Sequence, residues 1–350
     1  MNKIKYIYWF AYYNESSPSV RYRGKYPLEF FQQNYDIESS LIIPSYKPKN
    51  IISFIKSYCS ALFFRKQNSV IVIQRVHSNF IYSTLLKLLL KFQKKDTVYD
   101  LDDADYLYNK PNTIYFFAKN CSHITAGSKA IGNHLSQFNN NIILTSSPIL
   151  DLKIIKRKRS EIFTIGWIGG FGGDHKKSLF ELVFPAIKEL DFKCRLTLLG
   201  VVKPEDIKFI KEFFGSNKNL QIEIPEDIDW KNEQVLQEKI ASFDVGIATL
   251  IDNEIQRSKS GIKAKQYLNN GVPVLGTNLP ENDWVIKDDI NGFFCSSIQD
   301  FKQRISEFYS MNDTEYSYFL NNARRSSHEF NHENYYTSFM KLKQHSLNLK

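Results

Sequence analysis

The sequence lacks long apolar runs and has few cysteines. No stretch of about 18 or more consecutive apolar residues occurs, so no segment is expected to span a membrane. The cysteines stand singly, with no CxxC pair and no metal-ligand spacing, at Cys59, Cys121, Cys194 and Cys295. Unpaired thiols are typical of a reducing compartment, and we expect a cytoplasmic protein without disulfides.

The opening residues resemble a signal peptide only in part. The segment MNKIKYIYWFAYY has lysines before a short apolar run, but that run is rich in tyrosine. Asn14 and Glu15 then stand where small residues would mark a cleavage site. We therefore expect this segment to form a buried first strand.

The composition indicates a folded protein with a basic excess. Apolar residues make up 43% and charged residues 24% of the chain, which excludes disordered and collagen-like classes. Lysine and arginine number 46 against 37 acidic residues, a net charge of +9. The excess favours anionic partners such as nucleotides, acidic lipids or nucleic acid, without choosing among them.

Short apolar strands alternate with helical stretches along the whole chain, a pattern typical of parallel α/β sheets. A single core stops growing at roughly 250–300 residues, so we predict two domains. They span residues 1–150 and 161–312, with a basic linker at 151–160 and C-terminal helices at 313–350 that pack back on the first domain. Since such sheets bind ligands at the carboxyl ends of their strands, we expect a shared cleft.

Four glycines follow one predicted strand of the second half. The segment FTIGWIGGFGGDHKK continues from this strand into basic residues and a helix. Glycine lets the backbone approach a phosphate, and a helix N-terminus favours an anion. The spacing fits neither a GxGxxG fingerprint nor a Walker loop. We expect Gly169 and Gly170 to close over phosphates or a sugar; a plain strand-to-helix turn is the alternative.

Three cations cluster near the start of a later helix. Arg257, Lys259 and Lys263 lie in RSKSGIKAKQYLNNGVPVLGT. Positive charge at a helix start opposes the helix dipole, so this placement favours a bound anion such as a diphosphate. A solvated basic turn is the alternative.

Both segments resemble glycosyltransferase family 4, whose members are retaining enzymes. The resemblance implies an α/β GT-B fold, with two Rossmann-like doubly wound domains facing a central cleft. The matching positions are Gly166–Gly169, Arg257, Lys259, Gly261, Lys263, Gln266, Tyr267, Gly271, Pro273, Val274 and Asn282. In the first half SVRYRGKYPLEFF, IVIQRVH, VYDLDDADY and HITAGS resemble the family's segments in the expected order.

The sequence departs from the family pattern at the donor site. Pro280 replaces a glycine, and the two donor-site glutamates of many members fall at Ser258 and Gln266. The branch with the most similar pattern also has the glutamine. The departure leaves the identity of the donor open.

The resemblance implies a retaining, hexosyltransferase-type enzyme of bacterial polysaccharide or glycolipid assembly. It would move sugar from a UDP- or GDP-linked donor to a glycan or lipid-linked acceptor. Fixed cations would stabilise the departing diphosphate, so no cofactor, metal or protein nucleophile is expected. The catalytic candidates are Lys263, Arg257, Asp103 and His77. The donor-binding candidates are Gly169, Gly170, Lys259, Gln266, Tyr267 and Asn282.

Candidate acceptor-binding residues lie in strand-end loops of the first half, at Arg21, Arg23, Arg75 and Asp102. Arginines suit an acceptor that carries phosphate, as lipid-linked sugars do. The acidic segment DLDDAD has three interpretations: acceptor binding or loop structure, plain surface, and a metal-binding D-x-D.

Two stretches of the first half, FIKSYCSALFFRK and STLLKLLLKFQKK, combine apolar residues with lysine. The second holds Lys87, Lys91, Lys94 and Lys95 and suggests a helix that binds peripherally to the anionic inner face of the plasma membrane. Buried domain helices with snorkelling lysines are the alternative.

Two other functions stay open. A nucleotide-sugar 2-epimerase of the same fold would need carboxylates and histidines that converge on the sugar, and these motifs are not evident. A non-catalytic protein that binds anions or nucleic acid would spread basic and aromatic residues over one broad face. Here the cations lie at loop–helix junctions, and the KRKR of the linker is a single short run, so we do not expect a nucleic-acid partner.

Overall fold

The computed structural model describes residues 3–44, 48–76, 79–108 and 111–342. These residues form two compact units. Unit 1 takes the chain up to Leu150, the short segment Ser258–Ser260 and the chain from Phe330 onward. Unit 2 comprises Asp151–Arg257 and Gly261–Glu329.

Strands and helices alternate regularly in both units. The strands are β1 (Tyr6–Phe10), β2 (Glu38–Ile42), β3 (Ser69–Gln74), β4 (Thr97–Leu101), β5 (His123–Ala126), β6 (Ile142–Leu144), β7 (Phe163–Ile168), β8 (Cys194–Leu199), β9 (Leu220–Glu223), β10 (Val245–Ala248), β11 (Val274–Gly276) and β12 (Gly292–Phe294). The helices are α1 (Tyr26–Tyr35), α2 (Pro48–Phe63), α3 (Phe80–Phe92), α4 (Pro111–Asn120), α5 (Lys129–Leu135), α6 (Gly173–Ser178), α7 (Phe184–Lys188), α8 (Pro204–Phe214), α9 (Glu233–Ala241), α10 (Glu254–Arg257), α11 (Ile262–Asn269), α12 (Pro280–Val285), α13 (Ile298–Ser310), α14 (Asp313–Ser327) and α15 (His332–Met340).

The sheet of unit 1 has six parallel strands in the order β2-β1-β3-β4-β5-β6. Side chains alternate between two cores on its faces. Tyr8 and Phe10 enter one core, while Ile7 and Trp9 enter the other. A parallel sheet covered on both faces explains why its central strands are apolar runs rather than alternating ones.

The sheet of unit 2 is also six-stranded and parallel, in the order β12-β11-β10-β7-β8-β9. After β7 the chain adds β8 and β9 on one side and then crosses to β10 on the other. The strand order of each unit therefore reverses once, between β1 and β3 and between β7 and β10. These topological switch points are where open α/β sheets bind ligands. The predicted fold class, two doubly wound parallel α/β domains, is confirmed.

The C-terminal helices divide between the two units, whereas the sequence predicted that all of them pack on the first domain. Helix α14 packs on α11 within unit 2, and Tyr316 and Phe319 enter the core of that unit. Only α15 joins unit 1, where Phe339 packs against Phe31 of α1. Amphipathic spacing shows that a helix is buried on one side, but not which of two cores it covers.

The predicted linker is likewise part of unit 2. Lys156 Nζ lies 3.0 Å from the fully buried Asp244 carboxylate. That carboxylate also accepts hydrogen bonds from the main-chain N–H groups of Ser160 and Thr164. Burial lowers the pKa of Lys156, although Asp244 opposes that shift. The buried pair fixes this segment to the sheet.

Another cation of the KRKR run is also engaged within unit 2. Arg159 donates hydrogen bonds to the main-chain oxygens of Tyr309 and Met311. Arg157 and Lys158 are exposed. Half of the basic run therefore holds the fold, which weakens its interpretation as a nucleic-acid patch.

All four cysteines are free thiols, as expected, and three of them are buried. Among the residues that the structure describes, no helix combines the length and the apolar character needed to cross a bilayer.

The Lys156→Ala variant should be strongly destabilised. Removing this cation leaves Asp244 charged and buried without its partner, a loss that typically costs about 3–5 kcal/mol. Lys158→Ala, in the same tetrapeptide but exposed, should stay within about 0.5 kcal/mol of the wild type. Urea unfolding curves of the two variants check this, and equal midpoints would contradict the structural role of Lys156.

Candidate functional site

The carboxyl edge of the unit 2 sheet brings the glycine-rich loop after β7 to the topological switch point. Gly169 has a φ of 148° and Gly200, after β8, has a φ of 110°. A Cβ atom at Gly200 would overlap the carbonyl oxygen of Gly169. Only glycine tolerates both the backbone conformation and this close approach. The two residues therefore set the path of the loop.

Lys263, in the first turn of α11, lies over this loop. A Cβ atom at Gly169 would come 2.8 Å from Lys263 Cε. The Lys263 ammonium is 5.9 Å from the centre of the Trp167 ring and 3.2 Å from His175 Nε2. The loop itself is open, because a Cβ atom at Gly170 would meet nothing within 4 Å. A held cation beside open main chain is suited to an anion.

The same loop is joined to the segment around α10. Asp174 Oδ2 accepts hydrogen bonds from Asn253 Nδ2 at 2.9 Å and from Gln256 Nε2 at 3.2 Å. These bonds link the residues after β7 to those after β10, the two strands that flank the switch point. Neither Asp174 nor His175 was predicted as a site residue, since no known spacing singles them out.

Three buried polar atoms near this edge have no hydrogen-bond partner among the described residues. They are Trp167 Nε1, Thr249 Oγ1 and Gln256 Oε1. Trp167 lies in β7, Thr249 directly follows β10 and Gln256 lies in α10. Buried polar groups are normally paired in proteins. Their presence here adds to the case for a polar ligand or water at this edge.

A pocket that sequence reasoning missed adjoins the glycine loop. It has a volume of about 260 Å³ and its lining includes Gly200, Val202, Trp230 and the segment 225–228. The Trp230 ring lies close to Gly200, since a Cβ atom at Gly200 would come 3.2 Å from Trp230 Cζ2. The lining follows β8 and β9, so it lies at the same carboxyl edge. The run PEDIDW after β9 was the only signal, and it matches no ligand motif.

Arg257 and Gln266, which the sequence predicts at the diphosphate and at the donor's ribose or sugar, differ in their exposure. Arg257 is exposed and forms an ion pair with Asp252, at 2.5 Å. Hydrogen bonding between them raises the pKa of Arg257 and lowers that of Asp252. Gln266 is buried one turn beyond Lys263 on α11.

Tyr267 and Asn282 hold the sheet edge rather than present a side chain to a ligand. The buried Tyr267 hydroxyl accepts a hydrogen bond from Ile168 N–H and donates one to the Ile247 oxygen. It thereby bridges β7 and β10. Asn282 Nδ2 donates to the oxygens of Ala248 and Thr277, at 2.9 and 2.8 Å. Both side chains therefore support the edge at which they were predicted to bind the donor.

In unit 1, the buried Arg23, predicted to bind the acceptor, forms an ion pair with Asp100. Its Nε and Nη2 donate to the Asp100 carboxylate, at 2.9 and 2.5 Å. Its Nη1 donates to the Thr145 oxygen at 2.6 Å. Burial lowers the pKa of Arg23, but the attraction of Asp100 outweighs it and the pKa lies above the usual value. Thr125 Oγ1 completes the pairing of Asp100.

Arg75, directly after β3, gathers the other carboxylates of the acidic segment. It binds Asp105 through two hydrogen bonds, at 2.6 and 2.7 Å. Asp103 lies 3.2 Å and Asp102 3.5 Å from its Nη1. Arg75, predicted to bind the acceptor, therefore organises this loop. Among the described residues, no group of three or more His, Cys, Asp or Glu side chains is placed to hold a metal ion.

Lys259 also belongs to unit 1, in the short segment Ser258–Ser260. Its Nζ lies 2.9 Å from Asp103 Oδ1, and Ser128 Oγ donates to the Ser258 oxygen. Burial lowers the pKa of Lys259, but Asp103 outweighs that effect and raises it above the usual value. Lys259, predicted to bind the donor, therefore forms an ion pair with the acidic loop in this structure.

Asp102 is the buried carboxylate of this loop. Burial raises the pKa of its carboxyl, although neighbouring Arg75 opposes the shift. Its Oδ1 accepts no hydrogen bond from the described residues. Arg21 is buried beside the Tyr22 ring. His77, predicted as catalytic, lies outside the described residues.

No protein-family model matches the chain, and no curated protein sequence matches it. Several solved structures do match the chain. A glycosyltransferase from Rickettsia africae superimposes with a TM-score of 0.68 and 15% identity, covering 99% of this chain and 100% of its own. Sucrose-phosphate synthase from Thermosynechococcus elongatus gives 0.70 and 9%, with coverages of 99% and 100%.

A third solved structure contains a ligand. HepE from Anabaena, in complex with UDP-glucose, superimposes with a TM-score of 0.65 and 12% identity, covering 98% of this chain and 100% of its own. At these identities the likeness establishes the fold alone. The chain has the two-domain α/β fold of GT-B glycosyltransferases.

Replacing Gly169 by alanine should damage this edge. A side chain there is strained at the observed φ and meets Lys263 Cε, and we expect a loss of order 1–3 kcal/mol. Gly172→Ala is the control, because its backbone is extended and its Cβ would meet nothing within 4 Å. Thermal unfolding compares the two, and an unaffected Gly169 variant would show that the loop path is not fixed as described.

Proposed function

We propose that the protein is a glycosyltransferase that takes sugar from a nucleoside-diphosphate sugar bound at the carboxyl edge of unit 2. The observation that carries the proposal is Lys263, whose side chain lies across Gly169 beside open main chain. A diphosphate needs fixed positive charge and a backbone that it can approach closely, and this edge has both. The GT-B fold agrees with the proposal but does not by itself define an activity.

The diphosphate is the group whose charge grows during the reaction. The acceptor hydroxyl oxygen forms a bond to the anomeric carbon while the bond from that carbon to the diphosphate oxygen breaks. The electron pair remains on the diphosphate, and the acceptor proton passes to a phosphate oxygen. The Lys263 ammonium stabilises the leaving group as its negative charge increases, which lowers the barrier.

Retention is the stereochemical outcome that we propose, on the resemblance of the sequence motifs to retaining enzymes. It means that the acceptor attacks from the face that the diphosphate leaves, with no covalent sugar–enzyme intermediate. Proton NMR of the first product formed reports the anomeric configuration. An inverted product would overturn this part of the proposal without affecting donor binding.

UDP-glucose is the first donor to test, because a GT-B structure with this overall fold holds it. We assign the nucleoside to the pocket lined by Gly200 and Trp230, which adjoins the loop that would hold the diphosphate. GDP-linked sugars are the alternative donors. Thermal shifts with UDP and GDP compare the two bases directly.

Acceptor recognition is assigned to unit 1, in which Asp102 and Asp103 occupy the carboxyl edge of the sheet. Carboxylates accept hydrogen bonds from sugar hydroxyl groups. A glycan or lipid-linked sugar of bacterial polysaccharide or glycolipid assembly is the class of acceptor that we propose. Arg23 and Arg75 pair with carboxylates of this unit, so the proposal does not require a phosphate group on the acceptor.

Lys263→Ala should lower the rate of UDP release from UDP-glucose by about 10²–10³-fold, the usual cost of removing one contact to a developing negative charge. Lys177→Ala is the matched control, since Lys177 is an exposed lysine next to the same loop. Its rate should equal that of the wild type. Wild-type turnover by the Lys263 variant would refute the assignment of the diphosphate site.

Sugar transfer should not depend on a divalent cation. A lysine and main-chain N–H groups carry the charge compensation in our proposal, so excess EDTA should leave the rate unchanged. The assay is UDP release before and after chelation, with magnesium or manganese added back. A complete loss that either metal restores would favour the metal-binding interpretation of the acidic segment.

A further inference from the structure

Unit 1 exposes an unusual amount of apolar surface on two neighbouring helices. Half of the large hydrophobic side chains that the described residues expose lie between Ile51 and Phe92. Ile52, Phe63 and Phe92 are each about two-thirds exposed, at 69%, 68% and 69%. Monomeric soluble proteins rarely leave such a concentration uncovered, so it indicates an interaction surface.

The two helices pack side by side and run in the same direction. The Phe54 and Tyr82 rings are 5.3 Å apart near their N-terminal ends. In the middle, the Tyr58 hydroxyl donates to the Leu85 oxygen at 2.8 Å. Near the C-terminal ends, Gln93 Nε2 donates to the Leu62 oxygen at 2.8 Å. The two helices therefore adjoin from Phe54 to Leu62 on α2 and from Tyr82 to the end of α3.

Most of the exposed apolar residues of each helix form a regular stripe. On α2 these are Ile52, Ile55 and Phe63, with the half-buried Cys59 between them. On α3 they are Ile81, Leu88 and Phe92, with the half-buried Leu85, which also packs against the core, between them. Steps of three and four residues place each set on one helix face. A different set on each helix, including Tyr58 and Leu89, fills the core of unit 1. The stripes are thus additional to the face that the fold buries. We call them the apolar ridge.

The two segments that form the apolar ridge carry charge of one sign. Residues 48–66 and 79–95 contain no aspartate or glutamate. Lys56, Lys91, Lys94 and Lys95 are exposed. A second copy of this chain would bring the same positive charges against them. An anionic lipid surface instead complements both the apolar stripes and the lysines beside them.

We propose that the apolar ridge of α2 and α3 is a docking surface for an anionic membrane leaflet. Phenylalanine and isoleucine side chains insert at the level of the upper acyl chains, while the lysines contact lipid headgroups. Binding is peripheral, reversible and weakened by salt. The inference goes beyond the proposed sugar transfer and does not rest on it. It replaces the alternative of two fully buried helices.

Vesicle flotation tests the docking surface. The full chain should float with vesicles of phosphatidylcholine and phosphatidylglycerol at low salt, and remain unbound to pure phosphatidylcholine or at high salt. The triple variant Lys91→Glu, Lys94→Glu, Lys95→Glu should lower binding by at least about tenfold. The matched control reverses three exposed lysines of unit 2, at Lys193, Lys203 and Lys218, and should still float.

Insertion of the apolar ridge has its own readout. Adding anionic vesicles to the Phe92→Trp variant should shift the emission of the introduced tryptophan to shorter wavelength, after the wild-type spectrum is subtracted. Tyr318→Trp, at an exposed position of unit 2, should show no such shift. Wild-type protein that stays unbound at low salt, or two tryptophan variants that respond equally, would overturn the proposal.

The alternative occupant of the apolar ridge is a second copy of this chain, which gel filtration detects as an increase in molecular size. Concentration-dependent dimerisation in gel filtration that Ile52→Ser abolishes, with no vesicle binding, would assign the ridge to a second copy and overturn membrane docking. Flotation and donor turnover are separate measurements. Protein that floats but releases no UDP would contradict only the proposed sugar transfer.

Discussion

The close approach of Gly169 to Gly200 is the constraint on which the candidate site depends. Lys263 crosses the same loop so closely that a Cβ atom at Gly169 would lie 2.8 Å from its Cε. Tyr267, on the same helix as Lys263, holds β7 and β10 together through their main-chain groups. The helix that supplies the cation is therefore fixed to the strands that supply the loop. This is the kind of preorganised charge that stabilises a leaving group without rearrangement.

Much of the fold could be predicted from the sequence because the central strands of a covered parallel sheet are short apolar runs between turn residues. The glycine loop and Lys263 could be singled out for a similar reason, since a run of glycines and a cation at a helix start are both visible in the local sequence. The roles of the polar residues were harder to predict from the sequence. The partner of Arg23 is 77 residues away in sequence and that of Lys259 is 156 residues away. An arginine in a buried ion pair and one in a ligand site look alike in a single sequence.

Several cations are paired with carboxylates of the protein itself and stabilise the fold. Arg23, Arg75 and Lys259 are paired with the carboxylates of one acidic segment. Lys156 is paired with Asp244. Among the cations that these pairs leave, we propose partners for two sets: a soluble diphosphate for Lys263 and a lipid surface for the lysines beside the apolar ridge.

A crystal structure of the protein with bound UDP tests the central claim most directly. Our account predicts the diphosphate on the main chain of Gly169 and Gly170, with Lys263 Nζ within about 3.2 Å of a phosphate oxygen. It also predicts the base in the pocket that includes Trp230. A diphosphate bound instead at the acidic segment of unit 1, or at the ridge lysines, would contradict the assignment of the site.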